Sequence, residues 1–442
     1  MELSLLAEKL KNGGVAGAGG AGFPSYAKLS DKADTIVLNC AECEPLFKVH
    51  RQVLARYASE ILTALDEVAD AVGAERIIIA VKGAYKNTIE AVEAVLPLHP
   101  LAQISLLPEV YPAGDEVVTV YETTGRVVPP GDIPLSVGVV VFNVETALNM
   151  YEAIRSDRPV TEKFVTVAGE VAHPSTYRVP LGMTARELIE LAGGETAENC
   201  VILSGGPMTG RIVNSYDAVT KTTNAYLVLP ERHPVIQKRT CKTSISLKRA
   251  MSACCQCRMC TDLCPRHQLG HPIEPHAFMR SASSGTTKDV GPFINTMFCS
   301  QCGVCEMYAC FQGLSPRTLI GTYKNGLRAN GVPVPKGIVP EPVQPARESR
   351  KIPVQRLTAR LGLTMYDTPA PLVDGEMKAK QVRLLLQQHI GAPAQAVVKA
   401  GDKVKRGQLV GKAADGKLSL PVHAPIDGTV KEVNNQMVVI SR

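Results

Sequence analysis

Most of the thirteen cysteines stand in two short runs. Cys254, Cys257, Cys260 and Cys264 fall in CCQCRMCTDLCP, a C-x2-C-x2-C-x3-C spacing closed by Pro265. Cys299, Cys302, Cys305 and Cys310 fall in CSQCGVCEMYAC, with one more residue before the last cysteine and Phe311 in place of proline. Three thiolates within one tight turn hold three corners of an iron-sulfur cubane, and a remote fourth thiolate ligates the other cluster. The spacing therefore predicts two [4Fe-4S] clusters, one on Cys254, Cys257, Cys260 and Cys310, the other on Cys299, Cys302, Cys305 and Cys264. Zinc is the competing reading, but it usually takes two C-x2-C pairs, or cysteine with histidine, rather than triplets trailed by a lone cysteine. Cys255 is out of phase and reads as a spectator. His267, His271 and His276, just beyond the first run, read as surface or supporting groups rather than ligands. All-thiolate ligation favours low potentials and suits delivery of single electrons.

A second candidate lies near the start. Gly13 to Pro24 reads GGVAGAGGAGFP, after a short helix expected over Leu3 to Leu10. Its glycines free the main chain of side-chain bulk, so a phosphate or flat ring could approach closely; a flexible linker is the plainer reading. What favours a ligand site is the order that follows: a strand from Thr35 to Leu38 ending in Asn39, then AECEP, a long helix from Leu46 to Val72, and a strand from Arg76 to Val81. Such alternation predicts an α/β domain with its ligand at strand ends. No catalytic acid, base or nucleophile stands out. Cys40 and Cys43 form a C-x2-C pair without a second pair nearby, and read as pocket wall.

These sites need several modules to hold them, and 442 residues suffice for about three. A net charge of +6 from 48 basic and 42 acidic residues, with no Trp and eight Phe, gives no nucleic-acid footprint. The first residues, MELSLLAEKLKNGG, do not read as a secretory signal, and no run approaches the ~18 apolar residues of a membrane span. Ile77 to Val81 and Val137 to Phe142 have the length of buried strands. A soluble protein of a reducing compartment, such as the cytoplasm, is expected. Residues 164–211 alternate apolar and polar positions around a helix at Ala185 to Ala192 and a SGGPMTG turn, a β-grasp pattern. Prolines and basic residues over 325–354 read as an extended linker. In the tail, GDKVKRGQ is answered by HAPIDGTV, the quasi-repeat of a biotinyl/lipoyl-like barrel sandwich. Lys417 lies near the expected hairpin, but neither Met-Lys-Met nor Asp-Lys-Ala surrounds it, so the tail reads as a docking or packing module without a covalent cofactor.

With these residues in view a family likeness emerges. The cysteine runs are similar to those of bacterial ferredoxins. GAGGAGFP, NCAECEP at Asn39 to Pro45, YPAGDE at Tyr111 to Glu116 and VVFNVET at Val140 to Thr146 resemble the FMN- and NADH-binding subunit of respiratory complex I and, more closely, the RnfC protein of the Rnf electron-transport complex. The resemblance implies FMN contacts at Gly17, Gly19, Gly20, Gly22, Lys28, Asn39, Glu42, Glu44, Tyr111, Gly114, Glu116, Asn143 and Thr146, with Phe23 and Glu116 near the nicotinamide nucleotide. Asp115-Glu116 lacks the usual aliphatic continuation, which leaves NADH over NADPH open. The β-grasp segment resembles the SLBB domain of the same proteins. The barrel sandwich precedes the flavin domain in RnfC and is C-terminal here, an order similar to that of the cobalamin reductases of propanediol-utilisation microcompartments.

The expected architecture is therefore multidomain, α/β with α+β: a Rossmann-like flavin domain over 1–155, an SLBB-like β-grasp domain over 156–240, a helical ferredoxin-like two-cluster domain over 241–325, a linker over 326–380 and a barrel-sandwich hybrid over 381–442. The resemblance implies two [4Fe-4S] clusters, FMN and NADH, with cob(III)alamin reduced to cob(II)alamin and cob(I)alamin for coenzyme B12 recycling. An adenosyltransferase and microcompartment shell proteins are the implied partners, and a bacterial microcompartment the implied location. No residue announces a corrin site; His423 and the cluster-adjacent histidines are candidates, none claimed. The rival readings are an Rnf-like protein working between NADH and ferredoxin, and a non-catalytic iron-sulfur relay.

Overall fold

The computed structural model describes residues 1–284 and 287–442. Four parallel strands form the first sheet: β1 (Thr35–Cys40), β2 (Arg76–Lys82), β3 (Ala102–Leu107) and the strand Val139–Asn143, in the order β3, β2, β1, Val139–Asn143. The near-continuous Val and Ile runs of β1, β2 and Val139–Asn143 suit strands buried on both faces, while β3, at the edge, is largely uncovered. Alternation sends Ile36, Leu38 and Cys40 into one core, and Val37, with Ala41, into another. The first core is closed by α1 (Leu3–Asn12), α2 (Val49–Arg56), α3 (Ala58–Val72), α4 (Lys86–Val95) and α6 (Val144–Arg155), the second by α5 (Glu116–Thr124).

The single helix expected over Leu46 to Val72 is in fact two. Leu46 has a φ of 71°, and the Glu42 carboxylate accepts the His50 and Arg51 amides at 2.6 and 3.2 Å, so α2 starts at Val49. Tyr57 then leaves the helical region (φ −123°, ψ 32°), with its ring centroid 6.1 Å from that of Phe164 in the next module.

That module is a six-stranded mixed sheet over Glu162–Gly169, Ser175–Pro180, Cys200–Ser204, Arg211–Val213, Ala225–Pro230 and Leu372–Glu376. Its first and fifth strands run parallel, and the helix Ala185–Leu191 packs on it behind a Thr184/Glu187 capping box. Lys163 is fully buried and donates to Glu145 of α6, a desolvated ion pair that welds this sheet to the parallel-sheet domain. Breaking such a pair from one side typically costs about 3–5 kcal/mol.

The structure differs from the expected linker over 326–380. The segment carries a strand pair, Ile352–Pro353 against Val110–Tyr111, the helix Val354–Arg360, and Leu372–Glu376 as the edge of the β-grasp sheet. Leu357, Leu361 and Leu363 are buried, and this apolar spacing makes the segment a packed strap rather than a free spacer.

The cysteine-rich region is helical, with Thr243–Ala253, Pro275–Ser283 and Pro316–Ala329 around Ala250, Phe278, Leu319 and Ile320. The tail forms two small antiparallel sheets, Gln381–Leu385, Met437–Ser441, Gly428–Val433 and Lys403–Val404 in one, Gln395–Ala396, Leu409–Lys412 and Val422–His423 in the other. It folds back onto the glycine loop, where Ile390 N–H donates to Ala21 O at 3.0 Å. Lys221 of the β-grasp module is buried there too, donating to Gly14 O at 2.7 Å and Pro421 O at 3.0 Å. No helix of the described residues is long and apolar enough to cross a membrane.

Candidate flavin crevice and iron-sulfur cavities

Strand order reverses between β1 and Val139–Asn143, the place where open α/β sheets bind ligands beyond their carboxyl ends. Register sets Asn39 directly beside Asn143 at that point. Asn39 Nδ2 donates to Gly114 O at 3.0 Å, and Asn143 Oδ1 accepts the Glu145 amide at 2.9 Å to cap α6. The glycine loop enters from α1 and is pinned by Gly17 N–H to Phe23 O at 2.9 Å and by Ala18 N–H to Thr146 Oγ1 at 2.8 Å. Among the described residues, the amides of Gly19, Gly20 and Ala21 donate to no protein acceptor. A Cβ built on Gly20 (φ 62°) would meet nothing within 4 Å. Lys28 Nζ donates to Glu116 Oε1 at 2.8 Å and Val141 O at 3.0 Å. Free amides, an adjacent lysine and open glycines fit a phosphorylated flavin, the amides for phosphate and the bare backbone for the ring.

Several residues carried over by likeness have protein partners. Burial works against the Glu42 charge, but Arg51 and His50 together outweigh it and hold the carboxyl below its ordinary value. Glu44 accepts the Met208 amide at 2.9 Å and the Thr209 hydroxyl at 2.5 Å, and burial pushes its carboxyl up. Thr146 holds the loop at Ala18. Gly22 (φ 67°) lies where a Cβ would come 2.7 Å from Thr222 Cγ2 and 3.2 Å from His389 Cα, so it serves packing against the neighbouring modules. Cys43 lines the strand end, its Sγ 3.2 Å from a Cβ built on Gly114.

The eight cysteines of the two runs line two cavities. Cys254, Cys257, Cys260 and Cys310 surround about 380 Å³ of open space, and Cys264, Cys299, Cys302 and Cys305 about 320 Å³. Each set draws three thiols from one run and one from the other. Burial pushes the Cys260 and Cys264 thiols up to about 12, and Cys302 and Cys305 higher still. Thiolates in so apolar a setting need a compensating charge, which iron supplies.

Both loops repeat one device. Gln256 Nε2 donates to Cys254 Sγ at 3.2 Å, and Gln301 donates to Cys299 Sγ from both N and Nε2 at 3.3 Å. Both glutamines have positive φ, 55° and 61°. The sequence offered a signal for them, the shared C-x-Q-C, that spacing of cysteines alone does not use.

The second cavity is fastened to the flavin domain. Tyr111 O–H donates to Cys302 O at 2.5 Å, and Arg266, beside Cys264, donates to both Asp115 carboxylate oxygens at 2.8 and 2.9 Å. Burial works against the Arg266 charge, but Asp115 more than restores it. The histidines have structural work: His271 Nε2 donates to Val128 O at 2.9 Å, and His276 pairs with Thr261 at 2.8 Å. His423 is buried in the barrel sandwich, at 8% exposure, which closes it to a corrin. Lys417 stands in an exposed turn.

Four family models match: the Nuo51 FMN-binding domain over residues 10–152, the SLBB domain over 164–212, a 4Fe-4S dicluster domain over 253–315 and the RnfC barrel sandwich hybrid domain over 368–441. The chain is 42% identical to cobalamin reductase PduS of Salmonella typhimurium, across 100% of this chain and 98% of that protein. It is also 42% identical to cobalamin reductase PduS of Citrobacter freundii, across 98% and 96%. Identity to the RnfC-type component of the Na(+)-translocating ferredoxin:NAD(+) oxidoreductase complex of Acetobacterium woodii is 30%, over 60% of this chain and 59% of that one. A flavin crevice tied to two cysteine-lined cavities, in a chain so alike from end to end, belongs to the cobalamin reductase PduS family.

Proposed function

We propose that the chain reduces cobalamin with electrons from NADH, holding FMN at the switch point and two [4Fe-4S] clusters in the cavities. When bound, the flavin takes two electrons together from the nicotinamide and the clusters release them singly, the chemistry that Co(III) to Co(II) to Co(I) requires. Gly17, Gly19, Gly20, Lys28, Asn39 and Asn143 hold the flavin, while Glu42, Glu44, Gly22 and Thr146 position the loops around it. Tyr111, Gly114 and Glu116 line the same strand ends, with Phe23 and Glu116 toward the nucleotide. Cys254, Cys257, Cys260 and Cys310 hold one cluster and Cys264, Cys299, Cys302 and Cys305 the other. The reading is carried by the Tyr111 to Cys302 hydrogen bond, which makes the flavin crevice and one cavity a continuous piece of protein. On the same likeness the chain works in the cytoplasm within a propanediol-utilisation microcompartment, against its shell proteins and beside an adenosyltransferase that consumes cob(I)alamin.

Anaerobic NADH oxidation with cob(II)alamin and ferredoxin as competing acceptors tests this. Cob(II)alamin reduction is expected, with flavin bands beside the broad cluster absorption; ferredoxin reduction alone would overturn it. The glutamines set cluster potentials, since N–H···S bonds stabilise the more negative reduced state. Gln301→Leu is expected to move one cluster midpoint to lower potential at unchanged iron content, read by an EPR-monitored titration.

A further inference from the structure

The two cavities differ in what surrounds them. The set with Cys302 shares a core with the flavin domain, where Tyr111, Leu46 and Phe47 pack with Val304. Cys254 and Cys310 border the helical core around Phe278 and Leu319, which Cys299 of the inner set also touches, and Cys257 stands at the surface. Exposed apolar side chains stand around this outer cavity beside the polar Arg258 and Gln312. Met251, Met259 and Phe311 are 58, 40 and 58% exposed, and Met259 and Phe311 line the cavity itself. Lys248 and Arg249 are exposed on the adjacent helix and enter no ion pair among the described residues, while Arg258 is shared with Asp262 and Glu274 at 3.9 and 3.8 Å.

We infer that the rim formed by Met251, Met259 and Phe311 is the docking face for the corrin ring, with Lys248 and Arg249 meeting the phosphodiester of its nucleotide loop. This rests on the reading of the chain as a cobalamin reductase. The face of a corrin is apolar inside a ring of amide side chains, with one anionic phosphodiester in its tail, and the rim offers exposed apolar side chains with unpaired cations on the neighbouring helix. With clusters bound, Cys254, Cys257, Cys260 and Cys310 would hold the one placed to supply the single electron by which Co(II) becomes Co(I), and Cys264, Cys299, Cys302 and Cys305 the one placed on the flavin side; two such reductions would use the electron pair of one NADH.

The test is binding of cob(II)alamin to the full, reconstituted chain by anaerobic equilibrium dialysis, with iron content measured alongside. Met251→Glu with Phe311→Glu is expected to weaken binding about tenfold or more, equivalent to about 1.4 kcal/mol. Lys248→Glu with Arg249→Glu weakens it by several-fold, and Leu98→Glu, on the opposite end of the flavin sheet, does not change it. Unchanged binding in the first pair at full iron content overturns the proposal; if that pair loses iron, unchanged binding in the second pair overturns it. Corrin binding that survives while ferredoxin binding is lost gives the rim to a protein acceptor and overturns it too. A wild-type chain that binds ferredoxin and no corrin sinks the reductase reading itself, which separates the two failures.

Discussion

Cys302→Ala is expected to leave a chain that binds flavin and is bleached by NADH yet reduces cobalamin no faster than background. The substitution removes one thiolate of the cavity nearest the flavin domain and keeps the Cys302 carbonyl that accepts the Tyr111 hydroxyl, so the joint between modules survives. Cys302 is packed among Tyr111, Met208 and Val304, and alanine loses little volume there. Iron and acid-labile sulfide should fall by roughly half, from a two-cluster to a one-cluster content. Full cobalamin reduction at half the iron would mean that electrons bypass this cavity, and full iron would mean that Cys302 is no ligand.

Gly20→Asp is expected to abolish flavin binding and all NADH-dependent reduction while both clusters load. Gly20 has a φ of 62°, a region that aspartate enters more readily than most residues, at a cost of about 1 kcal/mol. Its Cβ points into open space, so the fold tolerates the side chain and the added carboxylate is placed among the unpaired amides of Gly19 to Ala21, where a phosphate would sit. Gly22→Asp is a poorer experiment, because the Thr222 and His389 contacts would make it a folding defect. Flavin retained by the Gly20 variant, measured by release and fluorescence, would remove the loop from the cofactor site.

The parts legible in the sequence are those where local spacing has a single geometric outcome. In two-cluster proteins a C-x2-C-x2-C triplet holds one centre and the cysteine trailing it serves the other, and two cavities here are lined by cysteines grouped in that way. The Val and Ile runs of β1 and β2 give buried parallel strands because nothing polar interrupts them. What spacing cannot say is where a side chain spends its charge. Glu44 reads as a flavin neighbour from its place after β1, but its carboxylate goes to Met208 and Thr209, far along the chain. Nothing in the local sequence marks Lys163 or Lys221; the assembled modules bury the first on Glu145 and hold the second by two carbonyls. The packed strap over 352–376 was hidden by its prolines, which speak for extension and say nothing of the leucines behind them.

The contact between the glycine loop and the barrel sandwich bears on how the protein is made. The loop is synthesised well before Ile390, whose amide donates to it, and before Pro421, which shares Lys221 with Gly14 of the loop. Long-range closures of this kind come late in folding. The glycine loop thereby lacks this brace until the tail has swung home, and a message cut short before Ile390 yields a polypeptide whose loop never gains it.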